Sequence, residues 1–125
     1  MLQKNYNDLA LAVLRIGFSG MLLVHGIPKI EGLFAETIQF PDPLGIGAPT
    51  SLTLAVIGEV IAPILVLIGF RTKLATIPVI ITMLVAAFIH HADDPFETKE
   101  KALVYLVAFI AIFLAGPGKY SFDKK

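Results

Sequence analysis

The chain has 125 residues and no net charge, and it is 56% hydrophobic and only 16% charged, with a mean hydropathy of +0.79. A soluble domain of this size exposes too much of its surface to hide so large an apolar share, whereas a bilayer removes that problem. The absence of cysteine excludes disulfides, thiolate metal sites and thiol redox chemistry, and the absence of a basic block argues against nucleic acid as a partner.

Four apolar segments predict an all-α protein, a four-helix transmembrane bundle that forms one domain over residues 1–125. Each segment has about the 20 helical residues that cross a hydrocarbon core of roughly 30 Å. Helices are required because lipid offers no hydrogen-bond partner to an open backbone. The predicted spans are residues 9–28, 52–70, 73–91 and 95–115.

The first span carries Arg15 two turns from its start, and His25, Gly26 and Lys29 near its end. A rotation of about 100° per residue places Gly26 and Lys29 in one stripe with Arg15, and His25 at its edge. A lipid-facing arginine costs at least ~2.5 kcal/mol, so this stripe is predicted to face the bundle.

About 20 residues, "EGLFAETIQFPDPLGIGAPT", connect the first two spans. Apolar and acidic residues are mixed in the first half, which predicts a short amphipathic helix at the membrane interface. The second half is rich in proline and glycine and is predicted to be irregular.

The second span contains a carboxylate, Glu59, within the apolar run "IGEVIAPILVLIGF". Four residues later, Pro63 has no amide hydrogen to donate to the Glu59 carbonyl. Helical rise places Glu59 roughly 10 Å in height from Arg15, a gap that a guanidinium or one water can bridge. We therefore expect an ion pair between Arg15 and Glu59, which is either a structural lock between two helices or the centre of a site.

The last two spans add polar residues at the same end of the bundle. His90 and His91 end the third span, Glu100 lies near the start of the fourth, and Asp94 is predicted to cap that helix. Adjacent histidines point about 100° apart on a helix, so no metal site is predicted. The predicted polar pocket consists of Arg15, His25, Lys29, Glu59, His90, His91 and Glu100.

The lysines and arginines predict the orientation in the membrane. Six lie on the side of the termini and three on the other side, so both termini are predicted to be cytoplasmic. The six are Lys4, Arg71, Lys73, Lys119, Lys124 and Lys125.

Four motifs together resemble the DoxX family of small four-helix integral membrane proteins: "RIGFSGMLLVHGIPKI", "GEVIAPILVLIGFRTK", "HADDPFETKEKALVYL" and the closing "GPGKYSFD". The resemblance implies a multi-pass protein of the bacterial inner (plasma) membrane. It favours His91 over His90, whereas the helical wheel favours His90. Structural roles are expected for Gly26, Pro63, Asp94, Gly116, Pro117 and Asp123.

The resemblance also links the chain to membrane redox systems. We expect a component of such a system, with a pocket in the outer leaflet for a quinone or another lipid-soluble molecule. No covalent cofactor is expected, and the expected partners are membrane lipid, a membrane or soluble redox protein and a second copy of the chain. Two alternatives remain at this stage: a non-catalytic scaffold for other membrane subunits, and a small proton-coupled transporter.

Overall fold

A computed structural model describes residues 6–123, and this part of the chain is helical without strands. The four helices are α1 (Asn7–Leu33), α2 (Ala48–Ile68), α3 (Thr72–His90) and α4 (Phe96–Ala115). The predicted all-α, four-helix architecture is confirmed. By length and composition, α1, α2 and α3 are apolar enough to cross a membrane. The first turns of α4 are more polar, because they carry Glu97, Lys99, Glu100 and Lys101.

The helices form an antiparallel ring in which α1 packs on α2 and α4, and α3 packs on the same two neighbours. Each helix thus packs on the next one in the chain, and α4 closes the ring against α1. One end of the bundle, the terminal end, holds the start of α1, the segment that follows α4 and the turn between α2 and α3. The other end, the cavity end, holds the α1–α2 and α3–α4 connections.

Two helix boundaries differ from the predicted spans. Helix α1 continues to Leu33, beyond the predicted residue 28, and α2 begins at Ala48 rather than at residue 52. Residues 34–47 form a loop, and the short interfacial helix expected in their first half is absent, since α1 itself takes up residues 31–33.

Two π-helical turns interrupt the bundle, Ile57–Ile61 in α2 and Ala86–His90 at the end of α3. In α2 the Ala62 amide donates to the Ile57 carbonyl, five residues back. Pro63 cannot donate to the Glu59 carbonyl, so a wider turn at this point is a physical response to the lost i→i+4 bond. Such single turns occur often at functional sites.

The apolar interior is divided into two clusters. The larger joins all four helices and extends from the terminal end to the lining of the cavity, with Leu22, Val66, Val79 and Phe109 among its buried members. The smaller lies at the cavity end between α1, α2 and the loop, and is built on Leu52, Val56 and Val60. The space between the smaller cluster and helices α3 and α4 is not filled by side chains, and it becomes the cavity described below.

The C-terminal segment closes the terminal end. Gly69 ends α2 with a left-handed φ of 75°, and the Phe122 and Asp123 amides donate to the Ile68 and Gly69 carbonyls. The Asp123 carboxylate accepts hydrogen bonds of 2.8–2.9 Å from the Arg71 and Thr72 amides and the Thr72 hydroxyl. Asp123 therefore satisfies donors at the start of α3 that no intrahelical carbonyl can reach.

Candidate functional site

A cavity of about 450 Å³ lies at the cavity end, between the four helices and beneath the α1–α2 loop. All three histidines of the chain line it. The side chains with ionisable groups around it are His25, Lys29, Glu59, His90, His91, Lys101 and Tyr105. The other lining residues are largely apolar, so the cavity has both polar and apolar walls.

The charged centre of the cavity is an ion pair between α1 and α2. The Lys29 ammonium lies 2.6 Å from Oε1 of Glu59, and the exposed fractions of the two side chains are 31% and 10%. Lys29 also lies over the Phe40 ring of the loop, 5.9 Å from its centre. The pair leaves Oε2 of Glu59 without a hydrogen bond from any residue in 6–123.

Close approach of two backbones brings this pair together. A Cβ atom built on Gly26 would overlap the carbonyl oxygen of Glu59, so only glycine permits the contact. Lys29 lies one turn further along α1 and therefore at the level of the Glu59 side chain. The structure thus places Gly26 where α1 and α2 are closest.

Arg15 is far from this site, and the predicted ion pair between Arg15 and Glu59 is wrong. The Arg15 side chain donates to the carbonyls of Leu67, Pro117 and Tyr120 at 3.3, 2.8 and 2.6 Å. Arg15 is 2% exposed and ties the C-terminal segment to the end of α2. Eleven residues separate it from Gly26, about 16 Å along α1, which exceeds the reach of a guanidinium.

His90 and His91 both line the cavity, which resolves the conflict between the helical wheel and the family resemblance. Helix α3 ends at His90, and His91 has non-helical angles, so a rotation of 100° per residue does not apply between them. Their ring centres are 4.4 Å apart. Nδ1 of His91 lies 2.7 Å from the Asp94 carboxylate.

This contact corrects the role predicted for Asp94. The N-cap of α4 is Pro95, and no side chain among the described residues caps the helix. Asp94 instead orients the His91 ring, because its contact with Nδ1 leaves Nε2 as the nitrogen that points away from the carboxylate. Nε2 of His91 is the nitrogen that remains for a ligand.

Helix α4 contributes different residues from the one predicted. Glu100 is exposed and does not line the cavity, whereas Thr98, Lys101 and Tyr105 do. Their spacing of three and four residues is that of one helical face, so a wheel drawn from Thr98 rather than Glu100 would have found them. Tyr105 also packs edge-to-face on the His25 ring, with centres 6.3 Å apart.

The cavity offers hydrogen-bond donors that nothing else occupies. Among residues 6–123, no hydrogen bond engages the side chains of His25, His90, Lys101 or Tyr105. Within the described residues, no three acidic, histidine or cysteine side chains lie close enough together to hold a metal ion. The arrangement suits an uncharged or anionic head group that accepts hydrogen bonds.

The fold and cavity define a small four-helix integral membrane protein with a polar site at one end. The family model of DoxX matches residues 10–92, and the chain belongs to the DoxX family. It is 30% identical to the inner membrane protein YphA of Escherichia coli, over 92% of this chain and 89% of that protein. It is 26% identical to the inner membrane protein YqjF of Escherichia coli, over 97% and 95% of the two chains.

An uncharacterized protein of Haemophilus influenzae is 28% identical over 94% of this chain and 83% of its own length. No solved structure is significantly similar to the chain. The matches and the apolar helices identify an integral inner-membrane protein.

Proposed function

We propose that this protein binds a quinone-like, lipid-soluble molecule in the cavity and acts as a component of a membrane redox system. One observation carries the proposal: every histidine of the chain lines one cavity, together with Lys101, Tyr105 and the Lys29–Glu59 pair. A quinone ring needs hydrogen-bond donors at its two carbonyl oxygens and apolar contact with its faces. The cavity supplies both kinds of surface.

Proton exchange is the second function that this lining supports. An imidazole ring can both accept and donate a proton, and the His91–Asp94 pair reaches from the cavity to the surface of the cavity end. One carboxylate oxygen of Glu59 accepts a hydrogen bond from Lys29, and the other accepts none from the described part of the chain. The sequence has no cysteine and no flavin or haem motif, so we propose that electrons are exchanged with a membrane or soluble partner protein.

We propose that both termini are cytoplasmic and that the cavity end faces the outer leaflet. The excess of lysine and arginine at the terminal end supports this orientation. Of the six residues counted there, Lys4, Lys124 and Lys125 lie outside the described part of the chain. Reporter domains fused at the C-terminus and in the α1–α2 loop test it, with an extracytoplasmic C-terminal reporter as the contradicting result.

Ligand binding is tested with protein purified in lipid nanodiscs. Mass spectrometry of the bound lipids identifies any co-purified quinone, and titration with decylubiquinone measures affinity. We expect His25→Ala and Tyr105→Phe to weaken binding about tenfold each, the effect of losing ~1.4 kcal/mol of interaction. Tyr120→Phe is the matched control, because Tyr120 is 54% exposed at the terminal end. Absence of quinone binding by the unaltered protein contradicts the proposal.

A further inference from the structure

Helix α2 touches its two neighbours at consecutive residues of its π-helical turn. A Cβ atom built on Gly58 would overlap the Thr82 hydroxyl oxygen of α3, as one on Gly26 of α1 would overlap the Glu59 carbonyl. The Thr82 hydroxyl is fixed by a 2.7 Å hydrogen bond to the Pro78 carbonyl. At this level, therefore, α2 is held tightly between α1 and α3.

Above this level, α2 stays with α1 and separates from α3. Segment Ala48–Val56 packs on α1, where the Leu52 side chain lies against Gly32, and it does not pack on α3. The π-helical turn gives α2 the local change of direction that this separation requires. We call the resulting gap the crevice; it is bordered by Leu54 of α2 and Ile81 of α3, and its floor is the Gly58–Thr82 contact.

The crevice joins the cavity to the lipid-facing surface. Leu54 and Ile81 both line the cavity, yet they are 47% and 55% exposed. Their side chains are apolar, so the walls of the crevice can contact the acyl chains of membrane lipids. Direct packing joins α1 to α2, α1 to α4 and α3 to α4.

We infer that the crevice is a lateral portal, through which the apolar tail of a membrane-resident ligand extends into the bilayer while its polar head lies in the cavity. This inference rests on the proposed function for the nature of the head group, and it adds the class of ligand. The ligand is amphipathic, with a compact head that accepts hydrogen bonds and a long hydrocarbon or isoprenoid tail. Each methylene group of the tail that stays in lipid rather than in water contributes about 0.8 kcal/mol of favourable transfer free energy.

Blocking the portal tests the inference. The double variant Leu54→Trp/Ile81→Trp fills the crevice, and Val107→Trp places the same side chain on the lipid-facing side of α4, where Val107 is 68% exposed. Affinities are measured in nanodiscs for decylubiquinone and for the same benzoquinone ring without its decyl chain. We expect the double variant to bind the tailed probe at least about tenfold more weakly and the tail-less probe unchanged. Equal losses for both probes, or no loss, overturn the portal.

A second measurement needs neither a substitution nor a quinone. A phospholipid with a photoreactive group on its acyl chain close to the head group is incorporated into the nanodiscs, and labelled peptides are mapped by mass spectrometry. We expect labelling behind the portal, at Ala55 and Ala86, which line the cavity. If the unaltered protein binds neither quinone probe, the proposed function fails, while labelling at these alanines still supports the portal. Absence of this labelling overturns the portal even where quinone binds.

Discussion

The Lys29 ammonium and the Glu59 carboxylate meet at 2.6 Å across the closest approach of α1 and α2. Their charges compensate each other inside the cavity, so neither is left alone in a region of low dielectric. Arg15 is consequently not needed as a counter-ion for Glu59. It serves the opposite end of the bundle, where three carbonyls receive its hydrogen bonds.

Replacing Arg15 by lysine should loosen the terminal end. The planar guanidinium serves carbonyls in α2 and in the C-terminal segment together, whereas a lysine ammonium is a single point on a flexible stem. We expect Arg15→Lys to reduce the free energy of unfolding by about 2 kcal/mol, from the lost charge-assisted hydrogen bonds. Thermal unfolding followed by circular dichroism measures this effect. Arg71→Lys, at an exposed arginine of the same end, should change little, and an equal loss in both variants would count against the assigned role.

Gly26 should tolerate no side chain, in contrast to two other glycines of the same helix. Alanine at position 26 would push the Glu59 backbone away, and overpacking of this kind costs about 1–3 kcal/mol. No further atom of residues 6–123, beyond helix α1 itself, lies within 4 Å of a Cβ built on Gly17 or Gly20. Alanine there should be neutral or stabilise the helix by up to about 1 kcal/mol. Unfolding curves for the three variants test this ranking, and equal effects would refute the close contact.

The helices were predictable from the sequence because hydropathy and segment length determine them. The presence of several polar side chains at one end of the bundle was predictable as well. The pairing of charges was not predictable. It depends on the relative heights of α1 and α2, which the contact between Gly26 and the Glu59 backbone sets. The error of five residues at the end of α1, about 7 Å along the helix, displaced that estimate enough to pair Glu59 with Arg15 instead of Lys29.

Other features leave no mark in the sequence at all. The partners of Arg15 are backbone carbonyls, which any residue possesses. His90 lies in a π-helical turn, and the helix ends between His90 and His91. A helical wheel assumes a constant rotation of about 100° per residue, so it cannot predict where these two side chains point. Glu100 was predicted from its height in the bundle, whereas helical phase decides which residue faces inward and places Thr98 and Lys101 at the cavity.

Asp42 should make the loop above the cavity sensitive to acid. Its carboxylate accepts hydrogen bonds from the Ser51 hydroxyl and from the Ile46 and Gly47 amides at 2.7–2.9 Å. The Ser51 hydroxyl first, and the backbone amides with it, lower the pKa of Asp42 below its ordinary value. A lowered pKa in the folded state means that this stabilisation is complete above the ordinary aspartate pKa of about 3.9, and is lost as the pH falls through the lower folded value.

Amide hydrogen exchange of the loop measures the effect, with rates corrected for the intrinsic dependence on pH. Protection of Ile46 and Gly47 should decrease below about pH 4 in the unaltered protein. In Asp42→Asn it should be low at every pH. Asp93→Asn in the α3–α4 connection is the control, and a loop whose protection is independent of both pH and Asp42 would show that the carboxylate does not order it.

The most direct test is a pair of double-mutant cycles that share Glu59. Free energies of unfolding are measured for Glu59→Gln, Lys29→Met and Arg15→Met, and for Glu59→Gln combined with each of the other two. The account predicts a coupling energy of at least about 1 kcal/mol between Lys29 and Glu59, and additivity within about 0.5 kcal/mol for Arg15 and Glu59. Strong coupling of Glu59 to Arg15, with none to Lys29, would contradict it.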